Sequence, residues 1–145
     1  MKFRYQKITA KESEAFPERK FILRPVIPII LEYEDKKVGY RALIDSGADY
    51  NIFHAAVGEI LGLDVKAGKK EIFGGISGEK LTAYFHFVNA KIGGWKYKLY
   101  CGFSYDIPPF GYGVLGQKGF FDIFIVKFDL LKEEIELKPR TKGKI

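Results

Sequence analysis

Residues 42–49 read ALIDSGAD, an apolar run that stops on a carboxylate, Asp45, and passes at once into small residues. Such a segment is either an ordinary strand-to-turn junction or an acid held at the end of a buried strand to do chemistry. Gly47 permits a sharp or strained turn, and Ala48 lets backbone or ligand approach closely. The Ser46 hydroxyl can both donate and accept within such a turn. Asp-Ser/Thr-Gly alone is short enough to arise by chance, so the rest of the chain has to decide.

Composition narrows the choice. The 145 residues amount to one domain, and an apolar fraction of 47% with mixed charges excludes a disordered chain. Thirteen Phe and nine Tyr, together with many Val and Ile, favour strands over helices. A single cysteine, Cys101, cannot form an internal disulfide. The first 16 residues lack the continuous apolar core of a signal peptide, and the longest apolar stretch, 26–31, is too short to span a bilayer. A soluble cytoplasmic protein is expected, with no membrane association. The formal charge of +6 raises the question of nucleic acid. Its lysines are spread along the chain without a basic stripe or a fold signature, so they read as solvated strand edges.

Short strands separated by turn signals predict an all-β sandwich or barrel. A first strand is expected over 2–8, then strands over 26–34 and 38–44 around a DKK turn, the second of them delivering Asp45. Residues 52–63 carry the one good helical spacing, with Asp49 or Asn51 as its cap and Gly62 at its end. A long hairpin should follow, with the glycine-rich, mobile tip Gly74, Gly75, Ile76, Ser77 and Gly78. Residues 81–92 are apolar in both alternate sets, which predicts a strand covered on both faces. After the Gly93-Gly94 turn and a returning strand, VLG at 114–116 leads into one or two helical turns over 117–122. A hairpin around LLK closes the chain.

Three of these segments together resemble the retropepsins, the single-domain aspartic proteases of retroviruses and their cellular and prokaryotic relatives. They are DSGAD at 45–49, the flap-like FGGISGE at 73–79, and the hydrophobic-hydrophobic-Gly element VLG at 114–116. The likeness spans about 25–138 of what is read as one domain over 1–145, leaving 1–24 as an N-terminal extension. It implies a closed barrel or sandwich with a flap hairpin and one or two short helices. It also implies a homodimer, because the chain holds a single Asp-Ser/Thr-Gly segment and the reaction uses two carboxylates. Asp45 of each copy would activate a water for peptide hydrolysis. Ser46 would fix the two loops across the axis, and Gly47 would offer its carbonyl to substrate. Ala48 would line the substrate groove, and Asp49 would hold the substrate main chain. Residues 74–78 would close over the peptide, and Val114 would pack behind the loop and border the substrate. Retropepsins usually place an Arg after the Gly of the third element, paired with the acid matching Asp49. Here that position is Gln117, so the pairing is absent or replaced, which bears on the role of Asp49.

The other chemistry-bearing side chains read as structural. His54 and His86 lack an obvious partner, and Ser46 has no positioned base or G-x-S-x-G elbow. Cys101 lies in an apolar strand. No cluster has metal-ligand spacing, so neither metal nor cofactor is expected. The partners expected are a second copy and a peptide or protein substrate, not nucleic acid. Two alternatives remain: a non-catalytic peptide-binding module of the same fold, and a basic nucleic-acid-binding β-domain.

Overall fold

Alternating apolar residues draw most of the chain into strands, and the computed structural model describes residues 1–74 and 77–140. In chain order the strands are β1 (Lys2–Arg4), β2 (Gln6–Thr9), β3 (Phe21–Arg24), β4 (Val26–Tyr33), β5 (Lys36–Ile44) and β6 (Asn51–His54). A short helix, α1 (Ala55–Ile60), separates these from β7 (Lys69–Gly74), β8 (Lys80–Ile92) and β9 (Trp95–Ser104). The last three are β10 (Gly113–Leu115), β11 (Phe124–Asp129) and β12 (Glu134–Pro139).

The main sheet runs β4-β5-β10-β6-β9-β8-β7, and an additional β4–β8 pairing closes its first six strands into a barrel. β8 makes the closure possible because it is long. Its first half pairs with β7, whereas Asn89–Lys91 pair with β4 on the same side. β7 and the start of β8 therefore leave the barrel as a two-stranded arm. β10, only three residues long, is wedged between β5 and β6, parallel to the first and antiparallel to the second. Ile27, Ile29, Leu31, Phe53, Leu99, Phe103, Leu115 and Phe124 fill the interior. β1, β12 and β11 form a separate sheet, and among the described residues β2 pairs only with β3. The all-β closed barrel with a hairpin arm and a short helix is what the resemblance implied.

Several elements differ from expectation. The strand expected over 2–8 is two strands in different sheets. Between them, Tyr5 donates its N–H to the Glu133 carbonyl, and the chain leaves β12 for β3. The DKK turn is instead Glu34-Asp35, with Glu34 at φ 53°, because Lys36 and Lys37 are needed in register opposite Tyr33 and Glu32. The helix expected over 52–63 covers only Ala55–Ile60. Asn51–His54 are captured as a strand by β9 on one side and Val114 on the other, and tertiary pairing overrides the helical spacing. Its cap is His54, whose Nδ1 accepts from the Ala56 N–H at 3.0 Å, rather than Asp49 or Asn51. Gly62, at φ 82°, does terminate it. Residues 117–122 form turns rather than a helix, since Gly119 sits at φ 110° and its N–H is held by the Asp122 carboxylate. β8 is covered on both faces only near Ala83–Phe85; beyond that Phe87 is 56% exposed.

Glu32 is buried on the outer face of β4, where its carboxylate meets Lys96 at 2.9 Å and Lys37 at 3.6 Å. The hydrogen bond from Lys96 holds its pKa below the usual carboxylate value, outweighing desolvation, and the charges of Lys96, Lys37 and Lys91 add to this. A depressed folded-state pKa means stability that is present above the unfolded value and lost as pH falls through the folded one. Glu32→Gln should therefore lower the Tm at neutral pH. The gap from wild type should narrow below the ordinary Glu pKa of about 4.3, which thermal melts across pH would show.

Candidate active site

β5 carries the chain through the barrel wall and releases it at Asp45, one residue past its end. The Asp45 N–H donates to the Leu115 carbonyl at 3.0 Å, extending the parallel β5–β10 ladder by one bond. The Ala48 N–H then donates to the Asp45 carbonyl at 3.1 Å and closes the turn. The side chain is fixed as well: the Gly47 N–H donates to Asp45 Oδ1 at 2.9 Å. This hydrogen bond aims the carboxylate. Asp45 is half-buried, while Ser46 and Gly47 are exposed.

The turn is laced to the segment after β10. Gln117 N–H donates to the Ala48 carbonyl at 2.9 Å and Lys118 N–H to the Asp49 carbonyl at 2.8 Å. The Gln117 side chain donates from Nε2 to the Ser46 carbonyl at 2.8 Å. The residue that replaces the family's Arg thus ties down the turn's main chain. Asp49 is exposed, and its carboxylate makes no ion pair or side-chain hydrogen bond among the described residues. Gly116 lies so close to the turn that a Cβ there would run into the carbonyl oxygens of Tyr50 and Ala48. Val114, half-buried, sits between Leu43 and Ile52.

Asn51 is the residue that sequence reasoning placed only as a helix cap. It is fully buried; its Oδ1 accepts from the Gly116 N–H at 2.9 Å and its Nδ2 donates to the Tyr100 carbonyl at 3.3 Å. One amide therefore joins β6, β9 and the end of β10 behind the turn. The available signal was an amide directly before the apolar pair Ile52-Phe53.

The arm rises beside this turn. Phe73 packs with Tyr50 and Tyr100 against Ile52, Ala83 and Phe85, so the inner face of the arm and the exit of the turn share one apolar cluster. Its base is braced by Ser104, whose hydroxyl donates to the Thr82 carbonyl at 2.6 Å, and by Asp106, which accepts from the Thr82 N–H at 2.9 Å. Gly74 ends β7; Ser77 donates to Glu79, and Gly78, at φ 80°, has open space around it. Gly75 and Ile76 lie outside the described residues.

The remaining candidates are structural in position. His86 Nε2 lies 2.8 Å from the Val65 carbonyl, which can only accept, so this nitrogen carries the hydrogen. Burial pushes the Cys101 thiol up to about 12, far from the range of a reactive thiolate. Among the described residues no group of three His, Cys, Asp or Glu is placed to hold a metal ion.

The two ties on the turn should separate in mutagenesis. Asn51→Ala leaves the Gly116 N–H unpaired in the interior and should cost about 1–3 kcal/mol of stability in urea unfolding. Gln117→Ala removes an exposed side chain and should cost at most about 1 kcal/mol.

Comparison with known proteins bears on the same region. Among solved structures the chain is similar to the EIAV protease complexed with the inhibitor HBY-793. Identity is 24%, covering 64% of this chain and 81% of that one, with a TM-score of 0.49. No curated protein matches the chain significantly. A family model described as aspartyl protease matches residues 29–118. That span runs from inside β4 through the Asp45 turn and the arm to Lys118, well over half of the sequence, and on it the chain belongs to the aspartyl protease family.

Proposed function

We propose that the chain is a homodimeric aspartic endopeptidase of the retropepsin type. The observation that carries this reading is Asp45 itself: a half-buried carboxylate at the end of an interior strand, aimed by the Gly47 N–H and left with one face open. One carboxylate is half of the machinery. A two-fold axis beside the turn would bring the Asp45 of a second copy opposite the first.

Two carboxylates about 3 Å apart cannot both ionise, so they share one proton, as aspartic-protease dyads do in general. The ionised Asp45 takes a proton from a water held between the pair. The water oxygen bonds to the scissile carbonyl carbon while the protonated Asp45 of the other copy gives its proton to the carbonyl oxygen. A neutral tetrahedral hydrate results. Its collapse breaks the C–N bond: the carboxyl that took a proton from water gives it to the departing nitrogen. The other carboxylate takes a hydroxyl proton from the hydrate, so the products are acid and amine and the dyad again holds one proton. Ser46 would join the two turns across the axis, and Gly47 and Asp49 would bind the main chain of an extended peptide beside Ala48 and Val114. The arm, with residues 74–78 at its tip, would add to that peptide as a strand and exclude water.

Cleavage of unfolded casein from about pH 3 to about pH 8 tests the reading. Asp45→Asn should lower kcat/KM by at least about 10³-fold, the scale of a lost proton-transfer group. Its fold and its sedimentation as a dimer should be preserved. Full activity in that variant would sink the mechanism; no activity in a folded wild-type dimer would favour a peptide-binding module.

A further inference from the structure

Between the exit of the Asp45 turn and the arm lies a cavity of about 290 Å³. Its floor is aromatic and firmly packed. Tyr50 meets Phe85 edge-on at 5.4 Å between ring centroids, and Phe85 lies against Tyr100 at 5.1 Å. Its rim carries two cations: Lys69, from the start of β7, pairs with Phe85 and shares its face, and Lys118 follows β10. Lys70 borders the cavity too, but as the next residue of a pleated strand it pairs with Tyr84 and faces the other way. Neither the Lys69 nor the Lys118 ammonium takes part in an ion pair among the described residues. The one carboxylate on the rim, Glu71, is turned back to accept from the Ile72 N–H at 3.2 Å.

Two like charges around one cleft, with its single carboxylate turned aside, focus a positive potential into it, and low-dielectric aromatic walls strengthen that field. An apolar floor beneath a cationic rim suits a short aliphatic stem ending in a carboxylate. A neutral polar side chain would bury the same area without answering the charge. The cavity also stands where a bound peptide would pass. Tyr50 is the residue after Asp49, it pairs with Lys118 across the turn, and Lys69–Glu71 belong to the arm.

We propose that this cavity is a substrate subsite that selects an acidic side chain, Asp or Glu, at a position away from the scissile bond. The identity of the occupant rests on the peptidase reading above. Lys69 and Lys118 are then specificity-determining residues, with Tyr50, Phe85 and Tyr100 receiving the stem.

Two measurements separate this inference from the function on which it rests. First, a peptide library is digested and one cleaved sequence is resynthesised with Glu or Gln at the favoured position. Wild type should cut the Glu peptide about three- to tenfold more efficiently in kcat/KM, as expected of a few solvent-accessible ion pairs. The ratio should shrink at high salt, fall towards one in Lys69→Gln/Lys118→Gln, and invert in Lys69→Glu/Lys118→Glu. Second, the same two peptides, rhodamine-labelled, are titrated by anisotropy into Asp45→Asn protein, where no cleavage intervenes. Should the library give no cleaved sequence, the titration uses an extended peptide with Glu or Gln at its centre. Tighter binding of the Glu peptide, weakened by the lysine substitutions, supports the subsite even if wild type cleaves nothing, an outcome that would overturn only the peptidase. Equal cleavage and equal binding of the two peptides would overturn the subsite and leave the peptidase standing.

Discussion

The short parallel ladder between β5 and β10 is the constraint on which the site depends. Three residues, Gly113–Leu115, supply the neighbour on the edge of β5 away from β4, and the Leu115 carbonyl fixes the first atom of the Asp45 turn. A backbone carbonyl is a good anchor because it cannot change rotamer. The approach is possible only because residue 116 has no Cβ, and it is locked from behind by the Asn51 amide. Interior polar groups of this kind are costly when left single and stiffening when fully paired. In this way a half-buried acid at the surface inherits the rigidity of the barrel core.

Much of this was legible in the residues. Asp45 followed by small residues, a glycine-rich hairpin and VLG are local signals, each set by what a turn or a close approach permits, and the structure puts the first and third side by side. Segments whose form is decided by distant neighbours were misread. Ile52 and Phe53 sit at helical spacing but also suit a strand, and β9 and Val114 decide between the two. Asn51 looked like a cap because its true partners, Gly116 and Tyr100, are far away in sequence. The cationic cavity was hidden for the same reason. Lys69 and Lys118 are far apart in the chain and become neighbours only when the arm and the end of β10 flank the same turn.

Gln117 shows how one departure from a family pattern can be absorbed. An Arg–Asp ion pair at this place would join two side chains, whereas the amide joins a side chain to the Ser46 carbonyl. That bond carries no net charge, so salt and pH act on it weakly. It also leaves the Asp49 carboxylate free for other partners. Electrostatic fastening is found instead at Glu32, on the outer face of β4, where charged groups from β5 and β9 converge on one acid.

The wedged position of β10 has a consequence for synthesis of the chain. A ribosome delivers β5 and β6 long before residues 113–115, so both strands keep an open edge while some sixty further residues emerge. Unpaired strand edges of this kind attract other chains, and long-range parallel pairing is slow to form. Until Gly113 appears, the nascent chain therefore carries strand edges on β5 and β6 with which other chains can pair. Until then Asp45 also lacks the carbonyl that fixes its turn, so the complete site can be assembled only late in translation.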